Sequence, residues 1–387
     1  MLTWEYPPRI IGGIARHVEG LAGELAKRNE VHVVTLDFPG SPSHEQSGQL
    51  HIHRVPVELP SPTFHTWVLM FNHFFEKRVG QLAHSYGHPD VIHVHDWLTV
   101  TSGVAAKHML RRPLVMTFHS TEAKRSSGSM SPESNLVKGL EWWGAFESAR
   151  VITISNSMVA HVQAQFQIPS SKIATICNAV DPAKFNYGVD REAVRRRWGV
   201  GSGEELVAAV GRLTPQKGFD NLIRAFPLVL RKAPGCRLLI MGEGYMKPEL
   251  EELARKEGVA DRTTLAGFVT DRDLAGVLQS CDAVVIPSRF EPFGITALEA
   301  MTAGAPLAVS GVDGLAEIVQ DGTDGLHFKP EDVNGMAEAI VRLLADRPLA
   351  EKLAARGREK AKRYSWATVA EKTLEVYRAA IGDARYE

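Results

Sequence analysis

The chain has 387 residues, 44% of them hydrophobic and 23% charged, and its 44 basic and 45 acidic side chains leave a net charge of -1. These proportions exclude a disordered or fibrous chain, and the charge balance gives no reason to expect nucleic acid or an anionic membrane as a partner. At about 150 residues per domain, the length predicts two or three domains.

Gly12-Gly13 opens the amphipathic segment Ala15–Arg28, which reads as a helix. A first series of short β-branched or apolar runs follows: Val31–Leu36, Val91–Val94, Leu114–Phe118, Val151–Ile154 and Ile173–Ile176. Between the first two lies the aromatic stretch Phe64–Phe75, read as a helix in the core or beside an acceptor rather than one lying on a membrane. Lys124–Ser134 is polar and predicts a mobile loop near His119. In the helical pattern ending at Arg150, Trp142-Trp143 predicts one core and one partly exposed ring.

The polar stretch Asp181–Gly203 marks a boundary, giving an N-terminal domain 1–182 and a second domain 183–364. The second series of runs is Leu206–Val210, Arg237–Met241, Thr263–Ala266, Ala283–Pro287 and Leu307–Ser310, with helical patterns at Asn221–Lys232 and Met336–Ala345. Alternating strands and helices predict an α/β chain of two doubly wound, Rossmann-like domains facing across a cleft. The amphipathic Trp366–Ile381 is predicted to cross back to the first domain, taking 365–387 with it. No apolar run reaches the roughly 20 residues that span a bilayer. Cys177, Cys236 and Cys281 lie far apart without metal-ligand spacing, which predicts a reducing, cytoplasmic setting.

Ligands of open α/β sheets bind beyond the carboxyl ends of the strands, so the residues there are the candidates. Arg212 and Lys217 follow the strand Leu206–Val210, and two cations at a strand end suit a diphosphate. In Pro287-Ser288-Arg289-Phe290-Glu291-Pro292-Phe293-Gly294-Ile295, the proline precedes a helix over Gly294–Ala303. The amides of Phe293, Gly294 and Ile295 then form an anion site at its start. Glu291 and Glu299 stand too far apart to share one face of that helix, so they have different tasks, and carboxylates suit pairs of sugar hydroxyls. Gly13 lets backbone approach a ligand closely. His95, Asp96 and Trp97 end one strand and His119 the next, with Trp97 offering a flat face to a sugar ring. His93 with His95, and His51 with His53, share strand faces, but without a third convergent ligand no metal site is expected.

Taken together these motifs resemble the retaining glycosyltransferases of the GT-B fold, family 4, including glycogen and starch synthases. The order runs Gly12-Gly13, His95-Asp96-Trp97, His119, Ser155-Asn156-Ser157, Asn178-Ala179-Val180-Asp181, Gly211-Arg212, Lys217, Glu291 and Glu299. Trp4-Glu5-Tyr6-Pro7-Pro8 and His119-Ser120-Thr121-Glu122 look most like the glycogen-synthase branch.

The resemblance implies a donor nucleotide diphosphate sugar, UDP- or ADP-glucose, and a glycan or small-molecule acceptor. Arg212 and Lys217 would hold the diphosphate, Glu299 the ribose, and Glu291 with the following amides the transferred sugar near O3 and O4. His119 would contact that sugar near O6, Gly13 would approach the phosphates, and His95, Asp96, Trp97 and Phe293 would lie on the sugar and acceptor side. No cofactor and no metal is implied. No carboxylate is an obvious nucleophile, so transfer with retention by a front-face path is expected. Ile10 stands where bacterial ADP-glucose enzymes carry lysine, and Phe293 where they carry cysteine. Family members begin with a full apolar strand, whereas here only Met1–Thr3 precedes Trp4, which predicts a short first strand or a natural start upstream. A GDP-mannose-dependent transferase, a same-fold nucleotide-sugar 2-epimerase and a non-catalytic sugar binder are the rivals. The missing G-x-G-x-x-G argues against a nicotinamide enzyme.

Overall fold

The computed structural model describes residues 1–383 apart from Ser127 and Ser129. The chain forms two compact units. The first comprises Met1–Ala179 and the C-terminal helix Trp366–Asp383, and the second is Val180–Ser365. Residues 384–387, the end of the segment expected to return to the first domain, lie outside the described residues.

The first unit contains β1 (Val31–Leu36), β2 (His44–Ser47), β3 (Leu50–Val55), β4 (Ile92–His95), β5 (Leu114–Phe118), β6 (Arg150–Thr153) and β7 (Ile173–Thr175). They form the ladders β2-β3-β1 and β4-β5-β6-β7, and Leu2 bridges both Val34 and Val94, joining the two. The first strand is thus reduced to one bridging residue, flanked by Val34 N–H donating to Met1 O at 2.9 Å and Thr3 N–H to Val34 O at 3.1 Å. Every pairing is parallel except β2 with β3. β4 and β5 are buried along their whole length, so even the histidines of β4 and Thr117 of β5 lie in the interior.

The pair β2 and β3 carries no such signature. β2 is the exposed polar HEQS, and β3 is LHIHRV. Arg54 in β3 is nonetheless buried, because its guanidinium donates to Pro7 O at 3.0 Å and Pro42 O at 3.2 Å and pairs with Glu45 at 2.8 Å.

The aromatic stretch opens the helix Phe64–Tyr86, capped by Thr63. Val68, Phe71, Asn72, Phe75 and Val79 form its buried stripe, so the core reading holds for that face. No helix among the described residues is long and apolar enough to cross a membrane. Trp142 is exposed and Trp143 half-buried, so neither ring is the core residue expected of that pair. The final helix enters the first unit's core through Val369, Ala370, Val376, Tyr377 and Ala380, which cluster with Val18, Leu21, Val115 and Ile152. Gly20 makes room for it, since a Cβ there would lie 2.2 Å from the Trp366 ring.

The second unit contains β8 (Leu206–Val210), β9 (Arg237–Met241), β10 (Thr263–Gly267), β11 (Ala283–Ile286), β12 (Leu307–Ser310) and β13 (Leu326–Phe328). All pair in parallel, in the order β10-β9-β8-β11-β12-β13. Counted from β8 this is the Rossmann order 3-2-1-4-5-6, whose direction reverses between β8 and β11. The helix Phe219–Leu230 buries Leu222, Ile223, Phe226 and Val229 within the core that also holds Val207, Leu238 and Val285 of this sheet.

Candidate active site

The reversal between β8 and β11 places two loops side by side, each leaving the carboxyl end of its strand. Lys217 comes from the first and Glu291 from the second, and Lys217 Nζ lies 2.5 Å from Glu291 Oε2. Both side chains are partly buried, which strengthens the pair relative to an exposed one. Ser288 Oγ also donates to Glu291 Oε2, at 3.3 Å.

The loops are held together by Arg289, whose amide donates to Gln216 O at 2.9 Å. Its guanidinium donates to Pro215 O at 2.6 Å and to both carboxylate oxygens of Asp220 at 2.8 and 2.9 Å, and it also pairs with Glu331. Those acids, Asp220 first, raise the Arg289 pKa and keep it charged. Gly218 permits the approach: its φ is +68°, and a Cβ would lie 2.1 Å from Pro287 O.

Arg212 lies beside this pair in sequence but is exposed and makes no ion pair among the described residues. The helix beyond Glu291 runs Ile295–Ala303. The amides of Phe293, Gly294 and Ile295 precede or open it and make no backbone hydrogen bond among the described residues. Glu299 sits in the second turn of that helix, half-buried. Phe293 is buried, with the Tyr364 ring 6.3 Å away edge-on, so its side chain packs inward rather than toward a sugar.

In the first unit, Gly13 is the first residue of the helix Gly13–Leu25. The turn before it is organised by Glu5, whose Oε2 accepts from Ile11 N at 2.5 Å and Gly12 N at 2.8 Å. Nothing local in the sequence indicates that task, because the acceptor is a buried carboxylate several residues upstream.

His95 and His119 leave adjacent strands, and His95 Nδ1 and His119 Nε2 lie 3.1 Å apart. A third imidazole joins them from the first helix: the His17 ring centroid is 4.6 Å from His119 and 5.4 Å from His95. His17 Nδ1 meets Asn178 Oδ1 at 2.7 Å, while its Nε2 and that of His95 are buried without a hydrogen-bond partner among the described residues. His93 instead bonds Tyr377 OH and Thr117 Oγ1, both at 2.7 Å. The flat Trp97 face expected for a sugar ring is not free. Trp97 is buried, with His65 stacked on it at 6.0 Å and Phe64 edge-on at 6.2 Å.

Burial dominates the electrostatics here. It pushes His119 down to about 3 and His17, His93 and His95 well below the usual histidine value, so all four rings are neutral at pH 7. Burial raises Asp96 to about 6, against Arg125 and the His119 amide, which donates to Asp96 Oδ1 at 2.6 Å. It raises Glu141 to about 8, although Arg125 lies 2.8 Å away. Arg125 belongs to the segment expected to be a mobile loop; Glu122–Arg125 and the stretch from Pro132 are helical, while Ser127 and Ser129 lie outside the described residues.

Two clusters can present three metal-ligating atoms within 4.8 Å of one another: His17, His95 and His119, and Glu30, His32 and His51. Neither expected pair is kept: His93 and His53 fall outside these clusters, and His95 is joined instead by His17 of the first helix and His119, His51 by Glu30 and His32 at the start of β1.

Comparison with known proteins bears directly on this arrangement. Residues 11–184 match the model of Glycosyltransferase Family 4, and residues 190–360 match that of Glycosyl transferases group 1. An uncharacterized glycosyltransferase of Methanocaldococcus jannaschii is 38% identical over 98% of both chains. The glycogen synthase of Mycobacterium tuberculosis is 36% identical over 98% of this chain and 94% of its own. The chain belongs to the family 4 glycosyltransferases. A solved sucrose-phosphate synthase from Thermosynechococcus elongatus superimposes with a TM-score of 0.81 at 25% identity, over 95% of this chain and 93% of that one. The protein is thus a GT-B glycosyltransferase, and its two Rossmann-like units are the two halves of that fold.

Proposed function

We propose that this glycosyltransferase moves a glucosyl group from UDP- or ADP-glucose to the end of an α-glucan, with retention at the anomeric carbon. The observation that carries the reading is the Lys217–Glu291 pair at the β8/β11 switch point, with Arg212 beside it in the same loop. Identity to a glycogen synthase along almost the whole chain supports glucan as the acceptor.

In this reading Arg212 and Lys217 neutralise the diphosphate as it departs, stabilising charge that grows in the transition state. Before donor arrives, Glu291 holds the Lys217 ammonium; a bound diphosphate competes for it and frees Glu291 to accept hydroxyls of the transferred sugar. The amides of Phe293, Gly294 and Ile295 add donors without side-chain entropy cost, and Glu299 takes the ribose. The family resemblance assigns His119 to the sugar and Gly13 to the phosphates. The leaving phosphate oxygen takes the proton of the attacking hydroxyl on the same face of the sugar, so no protein nucleophile and no metal is needed.

The test is nucleoside diphosphate release from a panel of UDP-, ADP- and GDP-sugars, with and without glycogen or maltooligosaccharides, with the product anomer read by NMR. Release from UDP- or ADP-glucose that rises with glucan, giving an α-product, is expected. Release from GDP-mannose alone would replace the sugar, and turnover without acceptor or diphosphate release would indicate an epimerase.

A further inference from the structure

The β2-β3-β1 edge of the first unit carries four histidines that glycosyl transfer does not use. His32 on β1, His51 and His53 on β3 and His44 on β2 stand on one face of the sheet because the register pairs His32 with His51 and His44 with His53. Their rings are nearly parallel and stacked, with interplanar angles of 10° or less and centroids 4.6–6.3 Å apart. At one end of this row, ring nitrogens of His32 and His51 and a carboxylate oxygen of Glu30 lie within 4.8 Å of one another.

We propose that Glu30, His32 and His51 form a site for a divalent transition-metal ion of the zinc class. His32 Nε2 lies 3.3 Å and His51 Nε2 3.7 Å from the same oxygen, Glu30 Oε1. Tetrahedral zinc bound at about 2.0–2.1 Å separates its ligand atoms by about 3.3 Å. The three donor atoms already lie within 4.8 Å of one another, so rotation of the side chains about their own torsions closes them on an ion. Two imidazoles and a carboxylate form a donor set that zinc prefers over magnesium or calcium.

The next layer fits as well. His32 Nδ1 lies 3.0 Å from His53 Nε2, and with His32 donating there its Nε2 keeps a lone pair for the ion. His53 is 3% exposed, so its orienting ring is fixed by packing. Glu30 is half-exposed, which leaves a fourth position to water and gives the ion a path in from solvent. The bound ion ties the start of β1 to β3 and thereby pins the edge of the first unit's sheet.

The test uses the tag-free full chain and zinc ion alone, by isothermal titration calorimetry, with cobalt absorption to report the ligand field. One equivalent bound is expected, with a tetrahedral or five-coordinate cobalt spectrum. Glu30→Gln, at an exposed position that leaves the fold intact, should weaken binding at least tenfold, and His32→Asn should abolish it. His53→Gln should weaken it about 10–100-fold by freeing the His32 ring. Glu30→Gln should leave transferase turnover unchanged. Failure of the wild-type chain to bind, or binding insensitive to both Glu30→Gln and His32→Asn, overturns the proposal. Binding lost in His119→Gln but retained in those two would place the ion at the buried His17, His95 and His119 cluster and overturn it equally.

Discussion

Lys217 and Glu291 are 74 residues apart in sequence and 2.5 Å apart in space. Neither is remarkable in its own loop. They meet because β8 and β11 are neighbours at the one place where the strand order reverses, and because Arg289 and Gly218 press the two loops together.

Removing the cations tests the phosphate assignment. Lys217→Ala and Arg212→Ala should each lower kcat/KM about 10²–10³-fold, the usual cost of losing one preorganised donor to developing charge. Thermal midpoints should separate the two variants. Arg212→Ala leaves the midpoint unchanged, since Arg212 is exposed and makes no ion pair among the described residues, whereas Lys217→Ala leaves Glu291 partly buried with only the Ser288 hydroxyl bonded to its carboxylate among the described residues. Near-normal turnover in either purified variant would refute the assignment.

Glu291→Ala should abolish turnover while retaining nucleoside diphosphate binding, because it frees Lys217 for the phosphates. Equilibrium binding of UDP and ADP, compared with steady-state rates, checks this. If nucleotide affinity falls and sugar selectivity survives, Glu291 and Glu299 have exchanged tasks.

Gly218→Ala should be damaging out of proportion to one methyl group. The residue sits at φ +68°, and the added carbon would lie 2.1 Å from the carbonyl oxygen of Pro287. Strain of this kind costs of order 1–3 kcal/mol. Relief requires the loops to part, so the Lys217–Glu291 contact should be lost and kcat should fall more than the thermal midpoint.

What the sequence disclosed, and what it did not, follows from how locally each feature is encoded. β8 and β11 are buried and wholly apolar, and β9 is apolar after Arg237, so all three stand out as runs, and Arg212, Lys217, Glu291 and Glu299 follow β8 or β11 in the loop or helix that comes next. β2 and β3 hide because β2 is exposed and polar, and because the polar His53 and Arg54 of β3 are buried against partners remote in sequence. β13 is only three residues long. Glu5 and His17 lie in segments whose pattern already has a simpler reading, a proline-flanked turn and an amphipathic helix. Trp97 was legible as a strand-end aromatic, but that His65 would cover its face depends on where the helix Phe64–Tyr86 packs.

The buried acid Glu141 should make stability fall on the alkaline side. Its pKa rises from 4.5 to about 8, chiefly by burial, so the folded state holds a proton that the unfolded chain releases above 4.5. The stability this proton supplies is complete below pH 4.5 and is lost as pH climbs through 8. The buried histidines act in the opposite sense: their contribution is complete above 6.5 and is lost as pH falls toward the folded value, about 3 for His119. Thermal midpoints should therefore peak near pH 6–7 and decline toward 8.5, by about 2–4 °C for each kcal/mol lost. Glu141→Gln should flatten the alkaline decline and steepen the acid limb between pH 4.5 and 6.5, where the Glu141 proton otherwise offsets part of the histidine effect. An unaltered alkaline limb would show that Glu141 is ionised throughout.

Gly20→Ala offers a test of how the final helix is attached to the first unit. In an exposed helix, glycine to alanine is favourable by about 1 kcal/mol. Here Gly20 lies in Gly13–Leu25, and the new Cβ would fall 2.2–2.6 Å from three atoms of the Trp366 indole. Trp366 opens the last helix, so the ring can move aside only by shifting the start of that helix away from the first. Overpacking of this kind costs typically 1–3 kcal/mol, which outweighs the propensity gain. The expected result is a lower thermal midpoint and faster proteolysis near residues 363–366. The double variant Gly20→Ala, Trp366→Ala should lack the steric part of the penalty, so its midpoint should lie at or above that of Trp366→Ala alone. A Gly20→Ala protein more stable than wild type would mean that the first and last helices are not seated against each other through this ring.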